Sequence, residues 1–149
     1  MQISPNHLPS GAFWLSFAAT LQPSYNAWAA YAADPSKPAT GLESVGYLSS
    51  IAFFLLVMGF LSFLYLILSL RTNIVSFILF LTLVLAFTLM AGAYWQGANR
   101  AIPLAGKLQT GAGASLFVTC VCGFWIWFAI MLEALEFPFQ LPGKCPSMT

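Results

Sequence analysis

Apolar positions fall into three long, unbroken runs separated by short polar stretches. They occupy residues 47–70, 74–95 and 110–132, and none contains a charged residue or a proline. Each run is longer than the ~20 residues that cross a hydrocarbon core as a helix. In lipid such a run must be helical, because only a helix satisfies its own backbone hydrogen bonds. Aromatic and charged residues mark the ends. Tyr47 and Arg71 bracket the first run, Tyr94 and Trp95 close the second, and Glu133 closes the third, as an interfacial belt requires.

The connections differ in kind. Residues 34–44, DPSKPATGLES, are rich in turn formers and read as a loop. Residues 70–73 are short enough to make the first two runs an antiparallel hairpin. Residues 96–109, QGANRAIPLAGKLQ, read as a longer polar loop, and the tail from 134 to 149 contains three prolines. The start is less regular. Residues 13–21 are apolar, Gln22 to Asn26 interrupt them, and residues 27–33 resume with Trp28 and Tyr31. Two readings fit: one crossing helix over about residues 11–33 kinked near Pro23, or a short half-span followed by an interfacial turn.

The expected fold is therefore all-α: one membrane domain over residues 1–149, a four-helix transmembrane bundle. Its helices are placed at about 11–33, 45–70, 73–95 and 108–133, after a polar stretch at 1–10 and before the tail at 134–149. Composition agrees. Hydrophobic residues make up 60% of the chain and charged residues 6%, against about a quarter charged in soluble domains. A net charge of +1 gives no reason to expect a nucleic-acid partner. Lys37, Arg100 and Lys107 fall on one side of the three clear spans and Arg71 and Lys144 on the other, too even a split to set orientation.

Candidate chemistry is sparse. The single histidine, His7, lies outside the spans, and no carboxylate or lysine lies within them. An acid–base pair or a metal cluster lacks its raw material, so neither an enzyme nor a bound cofactor or metal is expected. Cys120 and Cys122 point to different sides of a helix and fit no metal site. The missing charges also argue against a voltage sensor or a dense proton relay. A narrow apolar path for a small weak acid or neutral molecule remains compatible.

Two stripes stand out on helical geometry. Gly59, Ser62, Tyr65 and Ser69 share an arc of roughly 120°, and Gly111, Ser115, Thr119 and Cys122 one of roughly 80°. Such faces serve either close helix packing or the wall of a pathway. Ser76, Thr82 and Thr88 are spread around the middle span and make no stripe. Aromatic residues form 16% of the chain. Phe13 with Trp14, and the cluster of Phe124, Trp125, Trp127 and Phe128, suit an interfacial belt or a hydrophobic gate.

Several stretches resemble one family. GAFWLSFAAT, residues 11–20, is similar to the G-[AS]-F-W-[LM]-[ST] element in the third helix of the acetate uptake transporters, also called the YaaH/SatP family. LRTNIVSFILFLTLVLAFTLMAGAY looks like the connection and fifth helix of the fungal branch. GAGASLFVTCVCGFWIWFAIMLEALEFPFQLP resembles the sixth helix and the tail that follows. The resemblance covers residues 11–142. It implies four segments equivalent to helices three to six of a six-helix permease. The family's Asn-Pro-Ala-Pro-Leu-Gly signature and its first two helices have no counterpart in this sequence.

The implied activity is proton-coupled membrane transport of acetate or a similar short monocarboxylate, with the chain part of, or derived from, an acetate permease in the plasma membrane. Ammonia or ammonium export, or a non-transporting truncated scaffold, are the alternatives. The implied partners are the lipid bilayer, the small solute and further copies of a full-length protein. By resemblance, Phe13, Trp14 and Leu83 lie near the substrate path, with Tyr65 a further candidate. Gly59, Ser62, Gly111, Ser115 and Thr119 are assigned to helix packing. The aromatic that relatives carry just before G-[AS]-F-W is replaced here by Ser10, and the acidic residue that several fungal relatives carry beside the Leu83 position is here Val84.

Overall fold

A computed structural model describes residues 7–70 and 73–135, with side chains from residue 11 onward. Among these residues the structure is helical throughout, joined by turns. The order is α1 (His7–Leu21), 3₁₀ helices at Ala29–Tyr31 and Pro38–Glu43, then α2 (Val45–Ser69), α3 (Ile74–Ala98) and α4 (Ile102–Ala134). α2, α3 and α4 are long and apolar enough to cross a membrane, whereas the apolar part of α1 is the short stretch Gly11–Leu21. The chain divides into two compact units, Met1–Leu48 and Ser49–Thr149.

In the first unit, the helix expected over residues 11–33 is replaced by a shorter one. α1 begins at His7 and stops at Leu21. Pro23 supplies no N–H and crowds the preceding turn. The backbone then closes into tight turns, with Tyr25 N–H donating to the Gln22 carbonyl at 3.2 Å and Asn26 N–H to that of Pro23 at 3.1 Å. Asn26 takes a left-handed φ of 46°, which ends any helical continuation. The two 3₁₀ helices pack on one another through Gly41. A Cβ at Gly41 would collide with the Trp28 carbonyl, so only glycine permits this approach. Ser44 caps α2, its Oγ accepting from Tyr47 N–H at 3.2 Å.

α2 carries a clean helical stripe. Tyr47, Ile51, Ala52, Leu55, Gly59, Ser62 and Ser69 are buried, while Phe53, Val57, Phe60, Leu64 and Leu68 on other faces are exposed. Outward apolar side chains are stable where the solvent is lipid. The buried hydroxyls are satisfied within the helix: Ser62 donates to the Met58 carbonyl at 2.8 Å and Ser69 to that of Leu66 at 2.7 Å.

In the second unit, Asn73 caps α3, its side chain accepting from Val75 N–H at 3.1 Å. α3 and α4 form an antiparallel hairpin, and the loop expected between 96 and 109 is mostly helix. α3 continues to Ala98 and α4 begins at Ile102. The polar residues there are adequate helix formers, and Pro103 falls in the first turn, where its missing N–H costs nothing. The link is a tight C-terminal turn: Ala101 N–H donates to the Gln96 carbonyl at 2.9 Å and Arg100 N–H to that of Gly97 at 3.0 Å. Arg100 sits at a φ of 60°, a position that ordinarily takes glycine. The proline-containing tail expected from 134 onward lies almost wholly outside the described residues.

Candidate functional site

The two interfaces of α3 differ in what fills them. Against α4 the contacts are small and close. A Cβ on Gly111 would lie 3.5 Å from Leu89, one on Gly92 3.6 Å from Leu108, and one on Gly123 3.9 Å from Leu79. Ala91, Ala93 and Ala112 are buried. Small residues let helix backbones approach where lipid offers no hydrophobic drive to association. Thr82 Oγ1 and Thr119 Oγ1 lie 2.8 Å apart across this interface. Thr82 is also 3.0 Å from the Ile78 carbonyl and Thr119 3.0 Å from that of Ser115. With one hydrogen each, one threonine donates to its own helix and the other across.

Against α2 the contacts are aromatic. Phe53 meets Trp95 edge-on at 5.4 Å, and Tyr65 meets Phe80 at 5.7 Å. Between these ring pairs Gly59 approaches Phe87, to whose Cβ a glycine Cβ would stand at 3.3 Å. Beside this contact lies an open apolar groove of about 550 Å³, lined by residues of α2 including Leu56, Phe60 and Phe63 and by Val84 and Thr88 of α3. Thr88 is its only hydroxyl, and that group lies 3.0 Å from the Val84 and Leu85 carbonyls of its own helix. The groove therefore offers shape and apolar contact, with its one hydroxyl donating within its own helix and its oxygen left able to accept.

The residues picked from sequence fall in separate places. Phe13 is 5% exposed and Trp14 47%, with their rings edge-on at 5.1 Å on α1. Tyr65 is half-buried against Phe80, and Leu83, also half-buried, neighbours the groove residue Val84 along α3. Phe13 and Trp14 belong to the first unit, Leu83 and Tyr65 to the second. Of the residues assigned to packing, Gly59 abuts Phe87 and Gly111 abuts Leu89. Ser62 is buried, Thr119 faces Thr82, and Ser115 donates to the Gly111 carbonyl at 3.1 Å. Thr82, Phe80, Phe87 and Thr88 were missed. Thr82 and Thr119 lie at nearly equal distances from the Asn99–Arg100 turn, so a hairpin register would have paired them.

Charge is absent from the core of this arrangement. α2 and α3 carry no ionisable acid or base other than tyrosine. α4 carries Lys107 near its start and Glu133 near its end, both exposed. Its 33 residues span about 50 Å, well beyond a ~30 Å hydrocarbon core, so both charges reach the headgroups. Among the described residues no cluster of three or more His, Cys, Asp or Glu could hold a metal ion.

Helices of this length, apolar on their outer faces and uncharged within, define an all-α integral membrane protein. The GPR1/FUN34/yaaH family matches residues 8–145, and the chain belongs to this membrane-transporter family. It is also 36% identical over 132 residues to the protein alcS of Aspergillus fumigatus, in two strains. That alignment covers 89% of this chain and 48% of the relative, so the chain spans about half the length of the curated relatives it matches. No solved structure matches.

Proposed function

We propose that the chain forms part of, or derives from, a proton-coupled permease for acetate or a similar short monocarboxylate in the plasma membrane. The observation that carries this reading is membership of a transporter family combined with spans free of charged side chains. A carboxylate cannot shed its water in such surroundings, because desolvating an unpaired charge costs many kcal/mol. The protonated acid is neutral and small, and it needs only apolar contact and a hydroxyl or two. Coupling to protons then follows from the species carried: each molecule that crosses takes its proton with it. Phe13 and Trp14 in the first unit, and Leu83 in the second, are each assigned to the substrate path by the family resemblance, with Tyr65 a further candidate.

Ammonia export is the second reading, since a neutral base suits the same uncharged path. The two separate on pH. The neutral fraction of acetic acid falls as pH rises, and that of ammonia grows. Labelled acetate uptake is measured in cells lacking their own permease, with and without this chain, over a range of external pH. The expected result is uptake above the vector control that is greatest in acid and reduced by Leu83→Trp. Uptake equal to the control at every pH overturns transport by this chain on its own.

A further inference from the structure

The segment between α1 and α2, residues 22–44, is neither a membrane helix nor an open loop. Its backbone hydrogen bonds close turns of three residues: Ala29 N–H donates to the Asn26 carbonyl at 3.0 Å, Tyr31 to that of Trp28 at 3.0 Å and Thr40 to that of Lys37 at 3.1 Å. Such short turns do not satisfy a segment's backbone within itself as a continuous α-helix does. In hydrocarbon each unpaired group costs several kcal/mol, so lipid-exposed backbone of this kind is confined to depths that water or headgroups reach. Asp34, Lys37 and Glu43 are exposed and impose the same limit.

The segment is nevertheless strongly aromatic. Tyr25 is 71% exposed and Tyr31 44%, and Trp28 is half-buried beside Gly41. The Tyr31 ring stands edge-on to that of Tyr47 at 5.8 Å, in the first turn of α2. This contact fixes the depth. α2 has 25 residues and a length of about 37 Å, against a ~30 Å hydrocarbon core. Its first turn therefore lies at the boundary between acyl chains and headgroups. A ring packed on Tyr47 lies at that level too, and tyrosine and tryptophan favour it because one end is apolar and the other polar.

We propose that residues 22–44 form an interfacial seat, in which Tyr25, Trp28 and Tyr31 rest in the headgroup region of the leaflet that α2 enters at its N-terminal end. The bound partner is the lipid surface itself. Gly41 serves this seat indirectly, because it lets the two 3₁₀ helices close into one compact unit. The inference uses only the membrane crossing of α2, and it is independent of what the protein transports.

The test is depth-resolved quenching of Trp28 in the full chain, reconstituted into phosphatidylcholine vesicles, with Trp14, Trp95, Trp125 and Trp127 replaced by phenylalanine. The vesicles contain lipids brominated either near the carbonyl end of the acyl chain or near its terminal methyl. The expected result is several-fold stronger quenching by the shallow bromines, with partial quenching by aqueous iodide. Stronger quenching by the deep bromines overturns the seat in favour of a spanning segment. Full iodide quenching with none from either lipid overturns it in favour of a solvent loop. If the four replacements prevent folding, a nitroxide on Tyr25→Cys in a chain with Cys120, Cys122 and Cys145 changed to serine reads the same depth. Equal access to oxygen and a water-soluble nickel chelate supports the seat. Access to only one of them overturns it.

Discussion

Among the described residues, α3 meets α4 and α2 in different ways. Its contact with α4 sets glycines against leucines, Gly111 against Leu89, Gly92 against Leu108 and Gly123 against Leu79, with a threonine pair between the helices. Its contact with α2 has aromatic ring pairs at both ends, with a close approach of Gly59 to Phe87 between them. Small residues bring backbones together and leave little space. Rings hold helices apart, and the apolar groove opens beside them. The first interface is suited to a fixed hairpin and the second to an opening that can be occupied.

The largest expected effect is at Gly59. Phe87 Cβ is tied to its backbone and cannot swing aside, so Gly59→Val forces α2 and α3 apart and costs about 2 kcal/mol. Gly111→Ala meets the far end of the Leu89 side chain, which can move, and stays within about 0.5 kcal/mol of the parent. Reversible unfolding in mixed detergent micelles measures both. Equal costs at the two glycines would erase the contrast between the interfaces.

A smaller effect is expected at Arg100. Its left-handed φ strains any residue with a Cβ, so Arg100→Gly raises stability by about 1 kcal/mol in the same unfolding assay. Loss of stability would mean that the guanidinium contributes more than the backbone strain removes. Next comes the threonine pair. A double-mutant cycle with Thr82→Val and Thr119→Val should give a coupling of about 0.6 kcal/mol, the usual size for a hydroxyl bond between membrane helices. Zero coupling would leave the small residues alone to hold α3 to α4.

The smallest effect lies outside the spans. Ser36 donates to Asp34 from its backbone N–H at 2.9 Å and its hydroxyl at 2.8 Å. Both bonds favour the carboxylate, the backbone bond more, and hold its pKa below the ordinary value. A depressed folded-state pKa gives a contribution present above the unfolded value and lost as pH falls through the folded one. The 34–36 turn should therefore loosen only in acid. Ser36→Ala removes the hydroxyl bond and should move the Asp34 carboxyl titration, read by NMR, back toward the ordinary carboxylate value.

Much of the membrane architecture was legible because apolar runs without charge admit a single backbone solution in lipid. The spans expected at 45–70 and 73–95 agree with α2 and α3 to within three residues at either end. Polarity misled at 96–109, where Lys107 and Gln109 sit on exposed helix beyond the hydrocarbon and α4 begins earlier than expected. It misled again at 22–33, where a kinked helix and an interfacial turn read alike in sequence. What separated them was local: Pro23, the left-handed Asn26 and the closeness of Trp28 to Gly41. The groove was not legible, because it depends on which faces of α2 and α3 meet. Phe60, Phe63 and Val84 are ordinary apolar residues until that pairing is set.

The proposal that matters most is that the permease to which this chain is related carries a short carboxylic acid together with its proton. The purified chain is placed in lipid vesicles, and labelled acetate entry is followed with and without an inward proton gradient, against protein-free vesicles. Accumulation above the protein-free rate is expected, requiring the gradient and slowed by Leu83→Trp. Entry equal to that of bare lipid, or entry driven by membrane potential and indifferent to the proton gradient, would contradict it.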